Sequence, residues 1–384
     1  MVGIADPVRA DVPCAVSECI GAGINIKMVT GDTSVTAKAI AKQVGLWKED
    51  DNEDAIITGT ELSELSDKEL RQRIMKLKVI SRARPMDKKL LVETLQDMNQ
   101  VVAVTGDGTN DAPALKAAHV GLSMGDGTNV AKQASDITIT DNSFTSIGRA
   151  VMWGRSLYQN IQRFILFQMI VNVVACLVVV FGAFLGEQPP LTVTQMLWVN
   201  LIMDTFAAMA LASLPPNERV MQSKPRNRKD FIITKPMGIM IASIGVLFFA
   251  FLMTLLYVFN HYDIKAFADI FLFGEYRGGI GISPKEGSMF FTVFVMLQFW
   301  NMFNAKAYMS GRSAFHFKNC GSFLLIAAII LAGQVAIVTF GGKMFSVTPL
   351  SVADWVVMIA LTSLVMILGE LARFANNHCI KAKA

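Results

Sequence analysis

Asp107 and Asp111 stand four residues apart in the run Thr105-Gly106-Asp107-Gly108-Thr109-Asn110-Asp111-Ala112-Pro113-Ala114-Leu115. Hard oxygen ligands this close together suit Mg²⁺, which is usually held by one or two carboxylates and a substrate phosphate. Gly106 and Gly108 carry no side chain, so a phosphoryl group can approach the backbone between the acids. A second constellation lies far downstream. Asn200 and Asp204 are spaced i,i+4 in an apolar stretch, which puts them on one face of an α-helix. An amide oxygen and a carboxylate on one face form part of an oxygen cage that suits Ca²⁺. Gln168 and Asn172 repeat this spacing in another apolar stretch. A carboxylate at the centre of a membrane helix costs about 2.5–3.5 kcal/mol on insertion scales, so Asp204 reads as functional rather than incidental.

The acids of the first run need a rigid frame. Val101-Val102-Ala103-Val104 precedes them and Ala114-Leu115-Lys116-Ala117-Ala118 follows. A strand, a tight acidic turn and a helix are the natural reading. That arrangement puts both acids at the carboxyl end of a parallel strand, the ligand crevice of an open α/β sheet.

The second constellation needs a membrane. Hydrophobic residues make up 53% of the chain, and they concentrate from Ile161 onward, while residues 1–150 carry charges throughout. Spanning a bilayer takes about 20 predominantly apolar residues. Six stretches qualify: 161–185, 191–214, 237–259, 288–308, 321–341 and 351–374.

Loop cations set their orientation. The connection after the second stretch holds Arg219, Lys224, Arg226, Arg228, Lys229 and Lys235. The connection after the fourth holds Lys306, Arg312 and Lys318, and the tail adds Arg373, Lys381 and Lys383. Gly186 to Pro190 has no cation, so the positive side is that of the soluble half. The soluble half and the C-terminus are therefore expected on the cytoplasmic side of an integral, multi-pass membrane protein. This bias also accounts for the net charge of +4 without a nucleic-acid partner. Cys14, Cys19, Cys176, Cys320 and Cys379 lack metal-ligand spacing.

Thr105 to Leu115 resembles the hinge motif of the P-type ATPases, pumps that pass through an aspartyl-phosphate on a haloacid-dehalogenase-like domain. Ile24-Asn25-Ile26-Lys27-Met28-Val29, a short apolar strand running into Thr30-Gly31-Asp32, resembles that family's second phosphate-site motif. Ser81-Arg82-Ala83-Arg84-Pro85-Met86-Asp87-Lys88 resembles the segment whose lysine contacts the phosphoryl group. Gly3 to Arg9 resembles the stretch that re-enters this domain after the nucleotide-binding insertion. Leu197 to Asp204 resembles the sixth membrane helix of calcium pumps, and Phe167 to Ala175 the fifth. The position that matches the second-site glutamate of sarcoplasmic-reticulum pumps is Ala175, so the pattern is closer to the plasma-membrane type.

The resemblance implies a partial, Rossmann-like α/β phosphorylation domain over residues 1–146, a connecting helix over 147–160, and an α-helical membrane domain of six spans over 161–384. It implies Mg²⁺ at Asp107 and Asp111, with Thr30, Gly31, Asp32, Lys88, Asn110 and Asp111 forming the phosphate pocket. It implies ATP as substrate and Ca²⁺ as cargo at a single site formed by Asn200 and Asp204, with Asn172 close by. The expected location is the cell membrane. No Asp-Lys-Thr-Gly-Thr nucleophile motif occurs in the sequence. The chain by itself is therefore expected to be inactive, and to need the N-terminal part of a pump for the nucleophile and for ATP. A membrane-tethered phosphatase and an inert partner that keeps the pump's shape are the alternatives from other classes. Heavy-metal pumps fit less well, because they have two spans after this domain rather than six. Proton pumps would not be expected to show the Asn-x-x-x-Asp context.

Overall fold

The computed structural model describes residues 8–184, 190–271, 274–279 and 281–381, except the side chains of 183 and 376–381. Most of Gly3–Arg9, most of Gly186–Pro190, and Lys383 lie outside the described residues, as do the side chains of Cys379 and Lys381. The chain divides into two compact units. One is Met1–Arg155 with Asn217–Asp230, and the other is Ser156–Pro216 with Phe231–Ala384.

In the first unit, helix α1 (Val12–Gly21) precedes strand β1 (Met28–Val29), and α2 (Ser34–Gln43), β2 (Ile56–Thr58), α3 (Gly59–Glu64), α4 (Asp67–Arg73) and β3 (Val79–Ser81) follow. The series continues through α5 (Pro85–Asp97), β4 (Ala103–Gly106), α6 (Ala112–Ala117), β5 (Val120–Met124), α7 (Asn129–Ala134) and β6 (Ile137–Ile139). The strands form two parallel sheets, ordered β1-β3-β2 and β4-β5-β6.

Parallel strands are buried on both faces, and the register here shows how. Ile56 pairs with Val79 and Ile57 with Ile80. The first pair joins a cluster with Ala37, Ala41 and Trp47. The second joins a different cluster with Leu62, Leu70, Leu91 and Leu95. Successive side chains of a strand point to opposite faces, so the two clusters are the two covered faces of one sheet. Capping boxes start α3 at Thr58 with Glu61, and α4 at Ser66 with Glu69.

Asn217–Asp230 belongs to this unit despite lying between apolar stretches. Arg155 donates to the carbonyl oxygens of Val220 (3.0 Å), Ser223 (2.9 Å) and Ala22 (2.9 Å). Arg228 meets His119 at 3.1 Å. Several cations of the loop read from sequence as a membrane-orientation signal thus sit on the α/β unit.

The second unit is helical. It contains the continuation of α8 (Thr145–Phe184), then α9 (Val193–Leu197), a π-helical turn (Trp198–Met203) and α10 (Asp204–Ala212). Helices α11 (Lys235–His261), α12 (Pro284–Ala307), α13 (Gly321–Phe340), the short α14 (Gly342–Phe345) and α15 (Val352–Lys381) complete it. Among the described residues, five helical stretches are long and apolar enough to cross a membrane: Thr145–Gly182, Val193–Ala212, Lys235–His261, Gly321–Phe340 and Val352–Ala375.

The sixth expected stretch, 288–308, falls in α12, which is not among those five. Its 24 residues span about 36 Å at 1.5 Å per residue, so length is not the reason. Polarity is. Glu286, Gln298, Asn301, Asn304 and Lys306 all lie on this helix, and every side chain from Ser288 to Phe299 is buried within the unit. A helix enclosed by protein need not be apolar enough to face lipid.

Candidate functional site

Three turns at the carboxyl ends of parallel strands carry the residues of the first constellation. After β1 the chain turns at Thr30-Gly31-Asp32. The Thr30 hydroxyl donates to Asp32 Oδ2 at 2.8 Å, and the Asp32 amide donates back to Thr30 Oγ1 at 3.2 Å. This turn is tied to the end of β3, where the Ala83 and Arg82 amides donate to the carbonyls of Thr30 (2.9 Å) and Asp32 (2.8 Å). Arg82 takes a left-handed φ of 48° there, which redirects the chain into α5. Pro85 opens that helix, and its first turn delivers Lys88.

The third turn follows β4. Lys88 Nζ meets Asp111 Oδ1 at 2.5 Å, with both side chains largely buried. The other oxygen, Oδ2, accepts the Gly108 amide at 3.1 Å. A Cβ on Gly106 would lie 2.5 Å from the Asp111 Cβ, so a residue without a side chain is required for Asp111 to fold back over the turn. Asp107 and Asn110 are exposed, and the Asp107 carbonyl accepts the Thr128 amide at 2.8 Å.

The structure therefore brings Lys88 and Asp111 together, and leaves the Asp107 carboxylate open at the strand end. Among the described residues, no hydrogen bond or ion pair joins the Thr30–Asp32 turn to Asp107 or Asp111. Groups of three or more metal-ligating side chains are also absent among them. A hard, exposed carboxylate with one partnered carboxylate nearby still fits Mg²⁺, which takes one or two carboxylates and completes its shell with water and phosphate.

The second constellation lies in the helical unit. Asp204 is 3% exposed, and both its carboxylate oxygens are buried with no hydrogen-bond partner. Buried polar atoms normally have partners, so a bare carboxylate here has the chemistry of a cation ligand. It follows directly on the π-helical turn Trp198–Met203. Such turns occur mostly as single bulges at functional sites.

That turn also alters the expected pairing. Asn200 is exposed while Asp204 is buried, because the wider turn inserts a residue and shifts the face alignment that α-helical spacing assumes. Asn172 and Gln168 are half-buried on α8, and Ala175 is buried without a ligand atom.

Gln298, Asn301 and Asn304 give α12 a polar side whose natural reading is packing. Asn304 does pack, its amide donating to the Val365 carbonyl at 2.9 Å. Gln298 Oε1 and Nε2 and Asn301 Nδ2, however, are buried and unpartnered. The signal available beforehand was two amides spaced i,i+3 in an otherwise apolar helix.

Residues 188–375 match the family model described as cation transporting ATPase, C-terminus. Residues 1–119 and 88–151 match two models of haloacid dehalogenase-like hydrolases. The chain belongs to the P-type cation-transporting ATPases. Among curated relatives, calcium-transporting ATPase 2 of Schizosaccharomyces pombe is 40% identical over 99% of this chain and 28% of its own length. Plasma membrane calcium-transporting ATPase 3 of Homo sapiens is 43% identical over 92% of this chain and 30% of its own length. For plasma membrane calcium-transporting ATPase 2 of Oreochromis mossambicus the values are 42%, 97% and 34%. The chain thus spans about a third of the length of these relatives. It is an integral membrane member of the P-type family, with a haloacid-dehalogenase-like α/β unit and a helical unit.

Proposed function

We propose that this chain forms the distal phosphorylation domain and the following membrane helices of an ATP-driven pump that exports Ca²⁺ from the cytoplasm. The observation that carries this reading is Asp204, a buried carboxylate on a helical stretch long and apolar enough to cross a membrane, whose oxygens have no protein partner. Its anionic form is costly in hydrocarbon unless a cation compensates it, and a hard oxygen donor suits Ca²⁺. Asn200, Asn172 and the orphaned amide of Gln298 supply further oxygen donors in the same unit. Ala175 offers none, which supports one calcium site. Relatives that are plasma membrane calcium-transporting ATPases support the choice of ion.

In the phosphorylation domain, ATP would phosphorylate an aspartate that lies outside this sequence. Among the described residues β1 pairs only with β3, and β4 only with β5. Their free edges suit a further parallel strand bearing that aspartate. Lys88, held by Asp111, offsets charge that develops on the transferred phosphoryl group. Thr30, Gly31, Asp32 and Asn110 present hydroxyl, amide and carboxyl groups that orient it. Mg²⁺, when bound at Asp107 with Asp111 beside it, neutralises phosphoryl oxygens. The six-span topology, with the α/β unit and C-terminus cytoplasmic, belongs to this reading, and α12 is its fourth span.

Asp204→Asn in the full-length pump tests the reading. Phosphorylation from ATP should lose its calcium activation, while phosphorylation from inorganic phosphate persists, because that reverse reaction needs the pocket and no bound calcium. Normal calcium activation in the variant would remove Asp204 from the site.

A further inference from the structure

The run Gly106-Asp107-Gly108-Thr109-Asn110 recurs, residue for residue, as Gly125-Asp126-Gly127-Thr128-Asn129. The copies follow β4 and β5, neighbours in one parallel sheet with Gly106 opposite Ser123, so both turns leave the same end of that sheet. Identical sequences meet different surroundings. The first copy is followed by Asp111, which pairs with Lys88; the matching position after the second is Val130, which has no polar group. Asp126 is committed elsewhere. Its backbone amide donates to Asn142 Oδ1 at 3.0 Å, and Asn142 Nδ2 donates to its Oδ2 at 2.5 Å. Asn142 holds a left-handed φ of 52°, and its carbonyl accepts Arg9 Nη1 at 2.6 Å. The second copy is therefore not a second cation site.

It lies against the first. The Thr128 amide donates to the Asp107 carbonyl at 2.8 Å, which fixes the peptide plane between Asp107 and Gly108. A Cβ on Gly127 would lie 3.1 Å from that carbonyl oxygen and 3.2 Å from the Asp107 Cα. Both are backbone atoms, so an added methyl displaces the Asp107 turn rather than a side chain. Gly125 is equally confined: a Cβ there would lie 3.0 Å from the Thr140 carbonyl oxygen and 3.1 Å from Asn142 Oδ1. Among the described residues no hydrogen bond or ion pair holds the Asp107 side chain, so its backbone sets where the carboxylate stands. Mg²⁺ demands near-ideal octahedral geometry at about 2.0–2.1 Å. A small shift of that backbone therefore matters to the ion.

We propose that the second Gly-Asp-Gly-Thr-Asn turn braces the first: Asp126 and Asn142 clasp it, and Gly127 and Thr128 hold the Asp107 backbone where its carboxylate takes Mg²⁺. These are positioning residues and touch neither metal nor phosphate. The proposal rests on the Mg²⁺ reading of Asp107 above. A ligand already in place when the ion arrives loses less freedom on binding, so loosening the brace weakens Mg²⁺ binding without removing a ligand.

The test uses the full-length pump with Asp126→Ala, with Gly127→Ala, and with Asn142→Gly, which keeps the left-handed backbone and removes the amide. The Mg²⁺ concentration that half-saturates phosphorylation from ATP should rise about tenfold, as expected for the loss of one or two hydrogen bonds, with calcium half-saturation within about twofold of normal. Asp126→Asn still offers an oxygen to the Asn142 amide, and its Mg²⁺ dependence should stay within about twofold of the unmodified pump. The metal-free pump gives a second readout. Amide hydrogen exchange across residues 105–111 should quicken about tenfold in Asp126→Ala and Asn142→Gly, and not in Asp126→Asn. If Asp107→Asn leaves the Mg²⁺ dependence unchanged, the Mg²⁺ reading fails, and the exchange rates, which need no metal, still decide the brace. Should Asp126→Ala not fold, Asn142→Gly carries the same expectation. Unchanged exchange in the folded variants would overturn the brace. Equal impairment by Asp126→Asn and Asp126→Ala would overturn it too, since the charge rather than the clasp would then matter.

Discussion

Asp107 and Asp111 share a turn, yet their surroundings differ: one carboxylate is exposed, and the other is locked between Lys88 and the Gly108 amide. Their substitutions should therefore differ in kind. Asp107→Asn in the full-length pump should abolish Mg²⁺-dependent phosphorylation and leave calcium affinity near normal, since the two constellations lie in separate units. Equal loss of both in a folded protein would argue against the assignment. Asp111→Asn should instead release Lys88, and phosphorylation should fall by about 10²–10³-fold, the loss typical of removing one group that stabilises the transition state. Rapid-quench phosphoenzyme kinetics would check this, and a rate within threefold of normal would count against the pairing.

The acids themselves were legible because glycines and a preceding apolar strand flank them. Their separate surroundings were not, because Lys88 lies 23 residues earlier in sequence and only the fold brings it to Asp111. Asn200 illustrates the opposite limit. The spacing of 200 and 204 is local, but reading one face from it presumes α-helical geometry, and the π-helical turn breaks that presumption.

At the scale of elements, start signals read cleanly where side chains cap the backbone. Thr58 with Glu61, and Ser66 with Glu69, begin α3 and α4 with reciprocal hydrogen bonds. Both glutamates are held below the usual carboxylate range. For Glu61 the cause is chiefly the Thr58 backbone amide, then its hydroxyl; for Glu69 it is the Ser66 hydroxyl, then its amide. A folded-state pKa below the unfolded one contributes stability above the unfolded pKa, and that contribution is lost as pH falls through the folded value. Acidification below the ordinary glutamate range should therefore lower the thermal midpoint of the α/β unit, and Glu61→Gln should weaken that dependence. Thr58→Ala should cost about 1 kcal/mol at neutral pH, and a null effect would deny the cap.

Helix α12 was harder to read, because apolar composition marks contact with lipid, and this helix is surrounded by protein. Its polar residues look like interruptions in sequence. In the structure some have partners, as with Asn304 and Val365, and others are bare, as with Gln298.

Over the whole molecule, the division into an α/β unit and a helical unit follows from where charge gives way to apolar sequence. The membership of Asn217–Asp230 does not, since Arg155 and His119 hold it through contacts distant in sequence. Asp204 and Ala175 together underlie the proposed aspartyl-phosphate pump with one membrane calcium site. The direct test is the ratio of calcium transported to ATP hydrolysed by the full-length pump in sealed vesicles. One calcium per ATP is the predicted result. Two per ATP would rule out a single calcium site, and ATP hydrolysis without calcium uptake would rule out a calcium pump.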